Sequence, residues 1–255
     1  MDLRLENIGH SYGTLEVMQG INLDIPAGKI VCIVGPSGCG KSTLLRLIGG
    51  LEEPTIGRVV QVGEPPSDSL NPLTYIFQDF ALLPWRTVEG NISLILKDYG
   101  LSDAKAKAIV SDVLSRTKLT DFRKALPKQL SGGMKQRVAI SRALAVNPAV
   151  MLMDEPLSAL DSQTRELLID DLVNLWTRKP FTAVYVTHNL NEAVRLGHSI
   201  VVLSRRPGKI RKIVEIVKPL AERGLGDADL DAKQKHLWNL MREEAMAADQ
   251  ELINV

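Results

Sequence analysis

The stretch Gly35-Pro36-Ser37-Gly38-Cys39-Gly40-Lys41-Ser42 constrains this chain more than any other. It follows the unbroken apolar run Ile30-Val31-Cys32-Ile33-Val34, the length of a strand buried on both faces, and leads into the helix-like Thr43-Leu44-Leu45-Arg46-Leu47-Ile48. A strand, a glycine loop ending in lysine and a helix, in that order, form the context of a P-loop. Glycines let backbone N–H groups curl around a phosphate, and the helix start adds positive potential. Lys41 neutralises the β and γ oxygens, and the Ser42 hydroxyl is a ligand for Mg²⁺. A nucleoside triphosphate is implied, bound by residues 35–42 with Thr43 beside them. The loop alone leaves kinases, GTPases and motor ATPases open.

Two further apolar runs, Val150-Met151-Leu152-Met153 and Ala183-Val184-Tyr185-Val186, are also buried-strand in character and suggest a parallel sheet. Each is followed by polar chemistry, Asp154-Glu155 and Thr187-His188, at the carboxyl ends where open α/β sheets place ligands. A shared site is therefore expected. Near the start, Ile21-Asn22-Leu23-Asp24-Ile25 alternates strictly and closes with Pro26-Ala27-Gly28, which fits an antiparallel sheet. Ser102 to Arg116 is rich in helix formers, with Ala106, Ile109, Val110 and Val113 at helical spacing, and reads as part of an inserted helical subdomain. After Pro219 the composition turns Ala-, Glu- and Lys-rich. There Leu237, Leu240, Met241 and Ala245 share one face of an expected C-terminal helix.

Bulk properties exclude several classes. With 45% hydrophobic and 24% charged residues over 255 positions, disorder is not expected. A formal charge of +1 lacks the surplus of a dedicated nucleic-acid binder, so no nucleic-acid partner is expected. No apolar run is long enough to span a bilayer, and the start Met1-Asp2-Leu3-Arg4-Leu5-Glu6 lacks the regions of a signal peptide, which points to the cytoplasm. Cys32 and Cys39 have no metal-ligand spacing and read as reduced residues without a chemical role.

The second motif, Leu130-Ser131-Gly132-Gly133-Met134-Lys135-Gln136-Arg137, decides among the triphosphate users. Ser131 and two glycines before the helical run Val138 to Leu144 make a second anion-binding helix start. This stretch resembles the signature sequence of ABC ATPases. The resemblance extends from about residue 3 to 216 and implies an α/β fold. That fold is an ABC-type P-loop ATPase with a mainly parallel core sheet, an N-terminal antiparallel β subdomain and a helical subdomain inserted at about 86–137. The ATPase domain then covers residues 1–218 and a helical extension 219–255.

The same resemblance assigns roles. Two subunits face head to tail as a homodimer, so that Ser131, Gly132 and Gly133 of one close on the γ-phosphate held by the P-loop of the other, with ATP and Mg²⁺ as cofactors. Asp154 holds the Mg²⁺ shell, together with Ser42 and the Q-loop glutamine Gln78, and Glu155 deprotonates the attacking water. Asp161, in Ser158-Ala159-Leu160-Asp161, resembles the D-loop, although by itself it reads as a helix start. His188 matches the switch histidine at the γ-phosphate. Tyr12 resembles the aromatic stacked on adenine, with an ordinary sheet-surface aromatic as the alternative. The apolar stretch Phe80 to Val88 lies where the family receives its permease. Trp85 is the better contact candidate, and burial accounts equally well for Leu82 and Leu83. Leu82 to Val88, Thr187 to Val194 and Ser204 to Ile210 resemble the nitrate, sulfonate and taurine importer branch. That likeness implies uptake of a small anion through a separate membrane permease, fed by a periplasmic or lipid-anchored solute-binding protein, with the ATPase on the cytoplasmic face of the inner membrane. Asn189 stands where the family commonly has an acidic residue.

Overall fold

The computed structural model describes residues 1–253, with side chains through Glu244, so Ala245 of the expected C-terminal face lies outside the described side chains. In chain order, the first half runs β1 (Asp2–Tyr12), β2 (Leu15–Ile25), β3 (Ile30–Val34), α1 (Lys41–Ile48), β4 (Ile56–Val62), β5 (Leu73–Ile76), α2 (Val88–Leu94) and α3 (Asp103–Arg116). The second half runs α4 (Gly132–Ala145), β6 (Val150–Asp154), α5 (Ser162–Arg178), β7 (Thr182–Val186), α6 (Leu190–Leu196), β8 (Ser199–Leu203), β9 (Ile210–Glu215) and α7 (Ala228–Ile253). The chain divides into two units, Met1–Glu64 together with Pro180 onward, and Pro65–Lys179. Among the described residues, no helix is long and apolar enough to cross a membrane.

In the first unit, β1 is flanked antiparallel by β2 and β4. The alternation expected along β2 sorts its faces, since Ile21, Leu23 and Ile25 are buried while Asn22 and Asp24 are exposed. In contrast, β3 and β7 are buried at every position: β3 lies parallel between β7 and β8, α6 packs against β3, and α1 packs against β7. A strand covered on both faces has no use for alternation. Strand β9 closes that edge antiparallel to β8.

Two side chains, Arg223 buried and His198 half-buried, finish this unit. The Arg223 guanidinium donates to the carbonyls of Val194 (3.1 Å) and Gly197 (2.6 Å), which terminate α6, and to those of Ile216 (3.2 Å) and Lys218 (2.9 Å). Five donors in a fixed fork suit several carbonyls at once, and burial lowers the Arg223 pKa to about 10, leaving it charged at neutral pH. His198 accepts the Ile30 N–H at Nδ1 (3.0 Å). Leu230 and Leu237 of α7 are buried, which anchors the C-terminal helix.

In the second unit, β5 and β6 pair parallel in register. Each long helix starts on a capping side chain. Ser102 Oγ accepts from Lys105 N–H (3.3 Å) at α3, so the helix read from Ser102 to Arg116 starts where its cap requires. The Thr87 hydroxyl does the same for α2 (3.1 Å). The apolar faces of α2, α3 and α4 bury Ile92, Val110, Val113, Leu114 and Val138. Within that core Thr117 and Ser141 share a 2.8 Å hydrogen bond.

Burial, then the charges of Lys29 and Arg223, lowers the His198 pKa from 6.5 to about 4. The unfolded chain therefore binds this proton more readily, and stability falls as pH drops from about 6.5 to about 4. In His198→Asn the amide oxygen still accepts from Ile30 but does not titrate. Urea midpoints measured across that window are expected to fall more steeply for the wild type than for the variant.

Candidate functional site

The P-loop grows out of the first unit by local necessity. As β3 ends at Val34, the chain must turn sharply to start α1 at Lys41. Gly40, at the N-cap, has φ 100°, and a Cβ there would lie 2.8 Å from Val17 Cγ1. Gly35 is equally tight, with a Cβ falling 2.9 Å from Cys39 Sγ and 3.0 Å from the Leu203 carbonyl oxygen. Lys41 turns back into the loop, buried, and donates to the carbonyls of Gly35 and Pro36, both at 2.9 Å. Its ammonium is thus fixed inside a curl of backbone at a helix start, the arrangement that suits a phosphate. Cys39 is buried, and desolvation raises its thiol pKa, so it is a packing residue.

Tyr12 stands at the end of β1, 45% exposed, with its ring edge-on to His10 at 4.7 Å. Its hydroxyl donates to Glu52. Desolvation, followed by that bond to Glu52, raises its pKa, and a further hydrogen bond links it to Thr43 of α1. The ring is therefore held beside the P-loop helix. Ile33 pairs with Val186, so Gly35 and His188 each lie two residues beyond the same rung and leave the sheet at one edge. His188 is exposed, while its neighbours are pinned. Thr187 Oγ1 donates to buried Glu192 (2.8 Å) and accepts from Asn189 N–H (3.0 Å). Asn189 Oδ1 accepts from the N–H groups of Asn191 (2.9 Å) and Glu192 (3.3 Å), capping α6 as an aspartate would. The departure at Asn189 therefore keeps the local hydrogen bonding.

The second unit carries the other set. Ile76 pairs with Met153, so Gln78 and Glu155 each lie two residues past that rung. Tyr75 donates to Asp154 Oδ2 at 3.4 Å, and Gln78 Nε2 reaches Ser158 Oγ at 3.5 Å. Ser158 in turn donates to the Glu155 carbonyl at 2.9 Å. Glu155 itself has φ 45°, a left-handed conformation that costs a non-glycine residue roughly 1–3 kcal/mol and recurs where function holds a side chain in place. Asp161 Oδ1 caps α5 by accepting from Thr164 N–H (2.9 Å), and backbone and side-chain hydrogen bonds from Thr164 lower its pKa. Ser131 Oγ caps α4 by accepting from Met134 N–H at 3.3 Å, and Ser131 and Gly132 are exposed.

Gly133 has a role the sequence did not disclose. It is buried, and a Cβ there would fall 2.5 Å from Thr164 Cγ2, while one on Gly132 would meet Leu160 Cδ2 at 3.1 Å. These glycines allow the α4 start to approach the loop around Asp161. Arg142 was also missed. Its guanidinium donates to the carbonyls of Ala81 (2.6 Å) and Phe80 (3.0 Å), holding the segment after Gln78 on which Trp85 is 73% exposed. Buried Asn91 secures the same segment through Leu83, Arg86 and Thr87. Only the arginine's position in an otherwise apolar helix face could have signalled it.

In the first unit a lysine inside a backbone curl suits phosphate, with the Ser42 hydroxyl beside it, and in the second unit Asp154 offers a carboxylate; hydroxyl and carboxylate are hard oxygen ligands of the kind Mg²⁺ takes. Comparison with known proteins points to a nucleotide. Residues 18–158 match the family described as ABC transporter. An aliphatic sulfonates import ATP-binding protein, SsuB, of Bacillus cereus is 44% identical over 203 residues, 80% of each chain. A protein of Brucella abortus biovar 1, named for ATP binding, is 39% identical over 252 residues, 98% of this chain and 96% of that one. Among solved structures, a dimeric ATP-binding cassette, MJ0796, in a post-hydrolysis state with ADP and Pi bound aligns with a TM-score of 0.71 at 34% identity, covering 87% of this chain and 99% of that one.

Close packing at Gly133 predicts that Gly133→Ala loses about 1–3 kcal/mol of stability. Adding Thr164→Ser removes the methyl the new Cβ would meet, and is expected to restore most of the loss in denaturant melts.

Proposed function

This chain belongs to the ABC transporter family as an ATP-binding, ATP-hydrolysing subunit, and on that basis we propose that it powers import of a small anion, with sulfonates, taurine and nitrate leading. The observation carrying the ATPase half is the pairing in one chain of a P-loop enclosing Lys41 with the signature stretch Leu130 to Arg137 capping α4. Support for the anion comes from the Leu82 to Val88 and Ser204 to Ile210 stretches and from the sulfonate-importer relatives.

In this reading the P-loop N–H groups and Lys41 bind the β- and γ-phosphates, and Tyr12 stacks on the base. Ser42, Gln78 and Asp154 would hold Mg²⁺, which would supply charge neutralisation at the phosphate oxygens. Glu155 takes the proton of the attacking water, and His188 hydrogen-bonds the γ-phosphate. Ser131, Gly132, Gly133 and Asp161 act across a homodimer of two such chains, since a signature that serves the other subunit's nucleotide requires two-fold symmetry. Residues 86–137 form the helical subdomain, and exposed Trp85 contacts a separate membrane permease served by a solute-binding protein. The subunit works peripherally, on the cytoplasmic face of the inner membrane.

Glu155→Gln keeps the shape of the side chain but cannot accept the proton. It is expected to bind MgATP, accumulate as an ATP-bound dimer and lose about two to four orders of magnitude in kcat. Near-normal turnover would remove Glu155 from the role of base. For the cargo, the complex is reconstituted in liposomes with its permease and binding protein and offered taurine, an alkanesulfonate or nitrate. ATP-dependent uptake of one of them is expected. Uptake of none, or outward movement of a lipid instead, would overturn the importer reading while leaving the ATP chemistry intact.

A further inference from the structure

The segment Ser204–Lys209, which joins β8 to β9, closes on itself. Ser204 N–H donates to the Lys209 carbonyl (2.9 Å), and Lys209 N–H donates to Ser204 Oγ (3.0 Å). Its inner side lies against the P-loop where two carbonyls emerge. Arg206 donates to the Gly38 carbonyl through Nη2 (3.0 Å) and Nε (3.3 Å). Gly208 passes so near Cys39 that a Cβ on it would fall 2.4 Å from the Cys39 carbonyl oxygen, and the Gly208 backbone pairs with β2 through Val17 (2.8 Å) and Gln19 (3.1 Å). The outer side is held by the C-terminal helix. Glu244 of α7, a buried carboxylate, accepts the Arg205 N–H at 3.0 Å and pairs with the Arg211 guanidinium, which also pairs with Glu243.

We infer that this segment couples α7 to the nucleotide, with Arg206 and Glu244 as positioning residues that preset the P-loop for phosphate. The inference rests on the ATP-binding role of the P-loop. The Gly35 and Pro36 carbonyls turn in to hold Lys41, whereas the Gly38 and Cys39 carbonyls turn out toward the Ser204–Lys209 segment. Gly38 has φ +74° and is free to rotate its peptide, so the conformation needs an external partner. Arg206 supplies a charged donor fork for that carbonyl, and Glu244 fixes the backbone one residue before it. Without the fork, part of the population leaves the competent conformation, and apparent affinity falls by that fraction. Coupling is reciprocal, so nucleotide must in turn stabilise α7.

Calorimetric titration of the full chain with ADP, which binds without turnover, tests this directly. Arg206 is exposed, so its replacement leaves the core intact. Arg206→Ala is expected to raise the ADP Kd and the KM for ATP about three- to tenfold, with kcat at saturating ATP within about twofold of wild type and with partial recovery in Arg206→Lys. Glu244→Ala is expected to shift the Kd in the same direction. Hydrogen exchange in α7 should slow on saturation with ADP in the wild type and not in Arg206→Ala, which carries the coupling test even if Glu244→Ala does not fold. Wild-type affinity in Arg206→Ala, or α7 exchange indifferent to ADP, overturns the inference. Failure of the wild type to bind ADP would instead overturn the P-loop reading.

Discussion

Everything in the first unit is organised around the turn from β3 into α1, where the chain must reverse, begin a helix and keep a cation inside the curl. Lys41 can stay buried only because the Gly35 and Pro36 carbonyls accept its protons, and those carbonyls face inward only because Gly35 has no side chain to collide with Cys39 and Leu203. A buried ammonium without such partners would carry a large desolvation penalty. The surroundings follow from that need: β7 and β8 cover β3 on both edges, Val17 closes over Gly40, and Gly208 comes close to Cys39.

A second regularity is the use of short polar side chains at the helix starts of the expected site. Ser131, Asp161 and Asn189 each satisfy backbone N–H groups of the helix they precede. Each also neighbours or forms a position to which the family resemblance gives a role at the nucleotide. Capping therefore fixes the orientation of these backbones without recruiting further residues. At Glu155, just past the end of β6, the left-handed φ is held in a similar way, with Ser158 donating to the Glu155 carbonyl.

Much of the molecule could be read in advance because its signals are local. The apolar runs at 30–34, 150–153 and 183–186 became β3, β6 and β7 with limits shifted by one residue at most, since strands covered on both faces need continuous apolar sequence. Ser102 marked the start of α3 because a cap competes for N–H groups that lie within its own turn. Gly133 was legible only in part. Its neighbour Thr164 is thirty-one positions away, and no periodicity reports a contact of that kind.

The phosphate loop, the strand that launches it and the family were all written in the linear order of residues, because neighbours within one turn or one strand carry those properties. What secures them was settled only by folding. Arg206 reaches Gly38 across 168 positions, Arg142 reaches Ala81 across 61, and Glu244 reaches Arg205 across 39. In the sequence nothing marks the distant backbone group that each will meet: Arg206 lies in the Ser204 to Ile210 stretch and Arg142 on an apolar helix face, yet neither context names its partner. A guanidinium or carboxylate acquires its role only when folding brings it against a particular backbone carbonyl or N–H.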